Sequence, residues 1–258
     1  MAYERSQPYK PGQTAPFKLS RSKIELFTQC PRCFWLGERL KIKRPSSPPF
    51  RINSTIDDLL KKEFDIHRAA GTKHPLSEAY GLDLIPYQTE KMDEWRDALR
   101  RGIQHLHTKT NLLISGGIDD VWVDPATDEL VIVDYKATSK NSEVSIDADW
   151  QIAYKRQIEV YQWLFRQNDF MVSDTGYFVY CNGKTDSPSF DAKLEFDIKL
   201  IPYKGSDKWV EPTVIKMKDC LEGEMPPVGT AAMGGECEHC AYARSRTELT
   251  LKALQKKK

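Results

Sequence analysis

The sequence predicts an α/β fold, a sheet with helices packed on it, and three observations carry that reading. Residues 112–138 hold two β-branched runs, 118–123 and 130–135, joined by the polar turn Asp124-Pro-Ala-Thr-Asp-Glu129, which is hairpin punctuation. Residues 149–167 set Trp150, Tyr154, Gln157, Tyr161 and Leu164 four and three residues apart, the stripe of an amphipathic helix. Two further apolar runs, 175–181 and 190–201, are separated by Asn182-Gly183 and Asp186-Ser-Pro188 and read as strands joined by turns.

The remaining elements follow in order. Residues 1–19 carry few aliphatic side chains and are expected to form a flexible arm. Ser22 and Glu25 have the spacing of a capping box and should open a short helix with Ile24 and Phe27 inward. It runs into Cys30-Pro-Arg-Cys33, and Pro45-Ser-Ser-Pro-Pro49 is a break. Residues 52–70 read as a helix with Ile56, Leu59, Leu60 and Phe64 at helical intervals and Asp57 on the edge of that face. Residues 71–86 are loop-like. Residues 88–108 are expected to form a charged helix carrying Arg96, Arg100 and Arg101, with His105 and His107 on its surface. The hairpin, a polar loop at 138–147, the striped helix and the two strands come next. A last helix over 207–222 ends before Pro226-Pro227, and Cys237-Glu-His-Cys240 follows. We expect one domain over 20–245, including both cysteine pairs, and a basic tail over 246–258.

Composition narrows the function. With 258 residues the chain can bury a substantial core. Its formal net charge is +1, so nucleic-acid affinity would have to come from local clustering. No apolar run reaches membrane-helix length, and the first residues lack a signal-peptide core. Four of the six cysteines lie in two C-x-x-C pairs, which points to metal ligands in a reducing compartment. The protein is therefore expected to be soluble and cytoplasmic.

A symmetric hairpin turn pairs Val123 with Leu130, Val121 with Ile132 and Asp119 with Asp134. Side chains alternate with period two, so Asp119, Asp134 and Lys136 share a face. Opposed carboxylates repel unless a cation sits between them. A divalent metal with the lysine would serve; two solvated acids at a hairpin end would equally give this pattern. Asp57 can be a ligand or an ordinary acid in the first turn of its helix. Gln157, inside an apolar stripe, needs a hydrogen-bond partner or costs about 1–3 kcal/mol; it and Tyr161 can reach one polar site.

Cys30, Cys33, Cys237 and Cys240 suit a tetrathiolate centre if the fold brings the pairs together, with Zn²⁺ and [4Fe–4S] both compatible. Cys181 and Cys220 read as packing residues. Arg39, Lys41, Lys43 and Arg44, beside Phe34 and Trp35, form either a solvated basic turn or a surface for DNA.

A helix acid, Gly117-Ile-Asp119, Asp134-Tyr-Lys136 and Gln157-x-x-x-Tyr161, in this order, resemble the PD-(D/E)XK nuclease superfamily, and within it the RecB-type branch with the CRISPR-adaptation exonucleases. The resemblance implies a restriction-endonuclease-like core, a central mixed β-sheet flanked by helices, and Mg²⁺- or Mn²⁺-dependent cleavage of DNA in repair, recombination or defence. It implies that Asp119 and Asp134 bind the metal, that Lys136 orients the attacking water, and that Gln157 and Tyr161 line the site. Asp57 stands where the branch usually has His or Glu, and Ile118 replaces the proline of the family motif. In relatives, flanking cysteines hold a [4Fe–4S] cluster, one before the core and three after; here the division is two and two. The resemblance favours a cluster over Zn²⁺ and allows a helicase or other DNA-processing protein as partner. A DNA-binding module of the same fold without catalysis, or a thiol redox protein, are the competing functions.

Overall fold

The computed structural model describes residues 7–46, 48, 50–231 and 234–256. Residues 1–6 of the expected arm, Ser47 and Pro49 of the break, and Lys257 and Lys258 of the tail lie outside them. Along the chain come β1 (Phe17–Ser20), α1 (Arg21–Gln29), α2 (Pro31–Arg39), α3 (Arg51–Ala70), α4 (Pro75–Ala79), β2 (Ile85–Pro86), α5 (Met92–Arg96), β3 (Ile103–His107), β4 (Leu112–Gly116), β5 (Asp120–Val123) and β6 (Leu130–Thr138). Then follow α6 (Ile152–Arg166), β7 (Thr175–Gly183), β8 (Phe196–Lys204), α7 (Val210–Glu222) and α8 (Glu238–Gln255). The chain divides into two compact units, one of Met1–Ser47, Leu106–Leu113 and Glu211–Lys258, the other of Pro48–His105 and Ile114–Val210.

The larger unit contains a five-stranded sheet in the order β2-β5-β6-β7-β8. The hairpin register is the one its turn symmetry predicts, Val123 opposite Leu130 and Val121 opposite Ile132. β6 and β7 are parallel while the other neighbours are antiparallel, so the sheet is mixed. Parallel neighbours need a crossover connection, and α6 supplies it. One face of the sheet packs on α3: Leu60 and Phe64 join Trp122, Val131, Val133, Tyr135 and Val179 in a buried cluster. Phe64 stacks on Trp122 with ring centroids 5.3 Å apart and on Tyr135 at 5.7 Å. Burying one such side chain contributes about 1.5–3 kcal/mol. Leu59, counted among the apolar positions of this helix, lies outside the cluster and is 56% exposed.

α6 is amphipathic only in its first half. Every residue from Ile158 to Phe165 is buried, so Glu159 must be satisfied internally. It accepts from Tyr203 Oη at 2.7 Å, Trp209 Nε1 at 2.7 Å and the Ser206 N–H at 3.1 Å.

Several local expectations are corrected. The helix predicted over 88–108 is only the short α5 followed by strand β3. Asp97 caps the chain by accepting from the Arg100 N–H, and Gly102 turns it with a φ of 70°, where a side chain would be strained. His105 therefore lies on a strand with its ring edge-on to Trp163 at 5.4 Å. His107 is buried and hydrogen-bonded to Thr110 Oγ1 at 2.8 Å, not a surface histidine. The capping box at Ser22 does not form: Ser20 is the N-cap of α1 and makes no side-chain cap hydrogen bond. The strand placed at 190–201 begins at Phe196.

In the smaller unit, the described part of the expected arm is anchored. Tyr9 is buried, its hydroxyl bonds Glu222, and its ring meets Phe17 edge-on at 5.1 Å. α2 starts with Pro31, which suits a first helical turn, and its N-cap Cys30 accepts from the Cys33 N–H. α8 has no buried residue.

Candidate active site and cysteine centre

Asp134 sits in the middle of the sheet and is fully buried. A bare carboxylate there would be costly; the Lys136 ammonium, two residues on and on the same face, pairs with it. Asp119 lies one residue before β5, and its Oδ2 accepts the Tyr135 N–H at 2.9 Å. The hairpin thus fixes Asp119 against the strand that carries Asp134 and Lys136. Burial alone would push the Lys136 ammonium down, but the charges of Asp134 and Asp119 outweigh it and hold its pKa above the usual lysine range. The ammonium also lies 4.6 Å from the centre of the Tyr154 ring, a cation–π contact that restricts it further.

The helix acid arrives from α3. Asp57 accepts from Lys61 Nζ at 2.6 Å, and the same ammonium is 3.9 Å from Asp119. Burial, followed by the charge of Asp119, raises the Asp57 pKa, with Lys61 opposing. Three acids thus face two lysines, an excess of negative charge that suits a cation. Their oxygens are spread out: among the described residues, only the four cysteines bring three or more potential metal donors within 4.8 Å of one another. Lys61 is absent from the sequence reading, although its four-residue spacing from Asp57 marks an ordinary helical ion pair.

From α6, Tyr161 donates its hydroxyl proton to the Gly117 carbonyl at 2.6 Å, and Gln157 Nε2 lies 3.5 Å from that hydroxyl. Gln157 thus has the polar partner its position demanded, at the outer limit of a hydrogen bond. The contact depends on Gly116: a Cβ there would come within 2.5 Å of the Tyr161 ring. Gly116-Gly117 is a close-approach signal that the sequence reading left unused.

Behind this face lies a network that sequence reasoning missed. Asp120 is fully buried. Its carboxylate pairs with Arg68 and, at 3.4 Å, with Arg96, and accepts from Tyr135 Oη at 2.7 Å and Trp122 Nε1 at 3.3 Å. Arg96 also bonds the Asp119 carbonyl at 3.0 Å and both oxygens of Asp65. Asp120 and Arg96 therefore hold the two ends of the Asp119 peptide segment, while Tyr135 ties the facing strand to the same carboxylate.

In the smaller unit the four cysteines of the two C-x-x-C pairs converge. Cys30–Cys240, Cys33–Cys237 and Cys33–Cys240 have sulfurs 3.8, 3.7 and 3.6 Å apart. A tetrahedron of thiolates at a Zn–S distance of about 2.3 Å has edges of about 3.8 Å; three of the six edges match it and all four sulfurs lie within 4.8 Å of one another, which suits one ion. A cubane cluster binds each thiolate to a different iron and holds the sulfurs farther apart. Burial pushes the Cys30 thiol up, but N–H donors of Cys33 and Gly229, with other sulfur contacts, bring it down to about 7. Gly229 reaches Cys30 Sγ at 3.3 Å because it lacks a Cβ, which would overlap the Gln29 carbonyl and Cys30 Cα. Arg44 donates to Cys237 Sγ at 3.3 Å and to Gln29 Oε1 at 3.0 Å, an outer-shell arrangement that orients ligands. Cys181 packs in the core, and Cys220 lies 4.0 Å from the Pro31 carbonyl.

The basic cluster is used mostly within the unit. Arg39 bonds the carbonyls of Leu221 and Gly223 and stacks on Trp35, closing the end of α7. Trp35 bonds Gly223, and Phe34 is buried. Lys41 faces Glu38 at 3.8 Å. Of the four, only Lys41 makes an ion pair with a carboxylate among the described residues, and Lys43 points to no acid.

No helix among the described residues is long and apolar enough to cross a membrane. The family model of the PD-(D/E)XK nuclease superfamily matches residues 18–245. No curated protein matches. Among solved structures, one described as a crystal structure of SSO0001 is similar at 12% sequence identity with a TM-score of 0.40. The match covers 88% of this chain and 81% of that one.

Proposed function

Because the chain belongs to the PD-(D/E)XK nuclease superfamily, whose members are generally metal-dependent nucleases, we propose that it hydrolyses phosphodiester bonds in DNA at the face of the hairpin. The observation that carries this reading is the buried Asp134–Lys136 pair with Asp119 fixed beside it by the Tyr135 N–H. Asp119 and Asp134, with Asp57 from α3, are the ligands for Mg²⁺ or Mn²⁺, hard cations that take oxygen donors. Once bound, the cation lowers the pKa of water and takes up charge on the phosphate.

The protein's own groups do the rest. Lys136 remains protonated between its acids, so it holds the attacking water by donating to it and offsets charge on the phosphate in the transition state. The Tyr154 ring and Asp134 fix where that ammonium points. Tyr161 spends its proton on Gly117 and leaves its oxygen to Gln157; together they brace the loop that carries Asp119 and present the amide towards substrate. The cysteine centre is a structural clip holding a single ion, zinc, because its sulfur spacing is that of one tetrahedron. A colourless protein with one zinc per chain is expected, and a brown one with iron and sulfide would overturn that assignment.

Cleavage is tested on end-labelled linear and closed circular DNA, single- and double-stranded, with Mg²⁺ and with Mn²⁺. Hydrolysis by the wild type and its loss in Asp134→Asn and Lys136→Ala, each shown by circular dichroism to be folded at the assay temperature although its melting falls because the buried pair is broken, is the expected result. Full activity in both variants would sink the assignment. Binding without cleavage under every divalent ion would instead make the protein a DNA-binding module. The same substrates decide between attack at ends and at internal sites.

A further inference from the structure

Beside the cysteine centre, the smaller unit contains a cavity of about 500 Å³ that the reaction above does not use. Its walls are the segment around Ile42, Lys43 and Arg44 and one face of α8 bearing Tyr242 and Arg246, and Cys33 and Cys240 contribute to its surface. Three features define what could occupy it. The lining has three cationic side chains and no carboxylate, and Lys43 and Arg246 make no ion pair among the described residues, so a polyanion is favoured over a cation. Ile42 and Tyr242 are 58% and 68% exposed, leaving apolar and aromatic surface uncovered where a core helix would have hidden it. Tyr242 and Arg246 are four residues apart, one above the other on a helix, so a ring and a charge are presented together.

Anionic groups repeating beside flat apolar ones are the chemistry of an unpaired nucleic-acid strand, which binds through stacked bases and paired phosphates. A duplex buries its base faces and has nothing to offer Tyr242. We propose that this groove binds single-stranded DNA, with a base on Tyr242 and phosphates on Lys43 and Arg246, so that the strand lies over the cysteine centre. DNA as the occupant rests on the nuclease reading; the groove's chemistry does not.

Binding of a fluorescent oligothymidylate is measured by anisotropy on the metal-loaded full chain carrying Asp134→Asn, without added divalent ion, at several salt concentrations. Lys43→Ala/Arg246→Ala should weaken binding at least ten-fold. Each phosphate contact on a single strand contributes roughly 0.7 to the slope of log K against log salt, so the slope should flatten by about 1.4. Tyr242→Ala should weaken binding about five-fold to a hundred-fold with the slope unchanged, and Tyr242→Phe should restore it. Lys252→Ala, on the same exposed helix but outside the groove, should bind as the parent does. A bound oligonucleotide should slow removal of the cysteine-held metal by a chelator, and a duplex of equal length should protect less.

Groove variants within two-fold of the parent, with an unaltered salt slope, would overturn the proposal. So would Lys252→Ala weakening binding as much as the groove variants, which would mean diffuse charge attraction. Failure of the nuclease reading looks different: no cleavage by the wild type under any divalent ion, while groove-dependent binding persists.

Discussion

Replacing Asp120 by asparagine keeps the shape of the side chain and removes a buried charge that two arginines share. Asp120 has no solvent exposure, and the side chains of Arg68 and Arg96 are 8% and 11% exposed. Removing one partner of a buried pair typically costs about 3–5 kcal/mol because the other charge stays behind without compensation. Both arginines keep other acceptors: Arg68 bonds Asp65 and the Tyr87 carbonyl, and Arg96 bonds Asp65 and the Asp119 carbonyl. The loss should therefore fall at the low end, about 3 kcal/mol. The new amide must also turn an N–H towards Tyr135 Oη or Trp122 Nε1, both already donors to this side chain. Amide hydrogen exchange along β5 and β6 measures the opening free energy locally, without assuming that the whole chain unfolds in one step. Tyr135→Phe removes only one hydrogen bond to a charged acceptor, for about 1.5–3 kcal/mol. Because both changes act on one network, the double variant should lose less than the sum. An Asp120→Asn protein whose β5 and β6 amides open within about 1 kcal/mol of wild type, well below the cost expected for a broken buried pair, would refute the argument.

Lys61→Met removes the ammonium shared by Asp57 and Asp119 and should strengthen Mn²⁺ binding about thirty-fold, since a unit charge and a dication about 4 Å apart in water-like surroundings repel by roughly 2 kcal/mol. Manganese titration by electron paramagnetic resonance reads this, and weaker binding would show that Lys61 supports the site instead of competing for it. Gly229→Ala should lower the metal content of the cysteine centre, because the backbone must shift away from Cys30 and take its N–H with it; elemental analysis per chain is the check, and full loading would contradict it. Lys218, then Tyr9 and the Gly12 N–H, hold the Glu222 carboxyl down at about 2 against its burial. The folded pKa is below the unfolded one of about 4.3, so this contribution is present above that value and is lost as pH falls towards 2. Exchange protection of the Gly12 amide, which donates to Glu222 at 2.9 Å, should fall over that window in wild type and show no such dependence in Glu222→Gln.

The legible parts of the fold were those set by local repetition. Alternation over 118–135 and a symmetric turn were enough to pair Val121 with Ile132, and through them to bring Asp119 near Asp134. The same logic was blind to Asp120. A buried acid is recognisable only through its partners, and Arg68 and Arg96 come from elements 52 and 24 residues away. Charge misled the reading of residues 88–108: acids and bases at helical spacing there are used individually, Arg96 on Asp65 and Asp119, Asp97 as a cap. Nothing adjacent to His107 in the sequence announces that Thr110 will face it and bury it. Gly229 was equally silent, since the need for a missing side chain is set by Gln29 and Cys30, at the far end of the chain. The cysteine pairs are visible from spacing, but the convergence of their four sulfurs within 4.8 Å of one another, which favours one ion over a cluster, is a tertiary fact.

The clip also imposes an order on synthesis. Cys33 and Cys240 are 207 residues apart, and a ribosome adding about 5–20 residues per second needs about 10–40 s to cover that distance. For that interval the first pair is a nascent dithiol whose two partner cysteines are not yet made, open to oxidation or to capture of the wrong metal. The larger unit, whose segments lie between the pairs, is synthesised before the centre can close. A metal held by this centre would therefore be acquired late, once the second pair has been made, and a truncated product would carry the first pair but no closed clip.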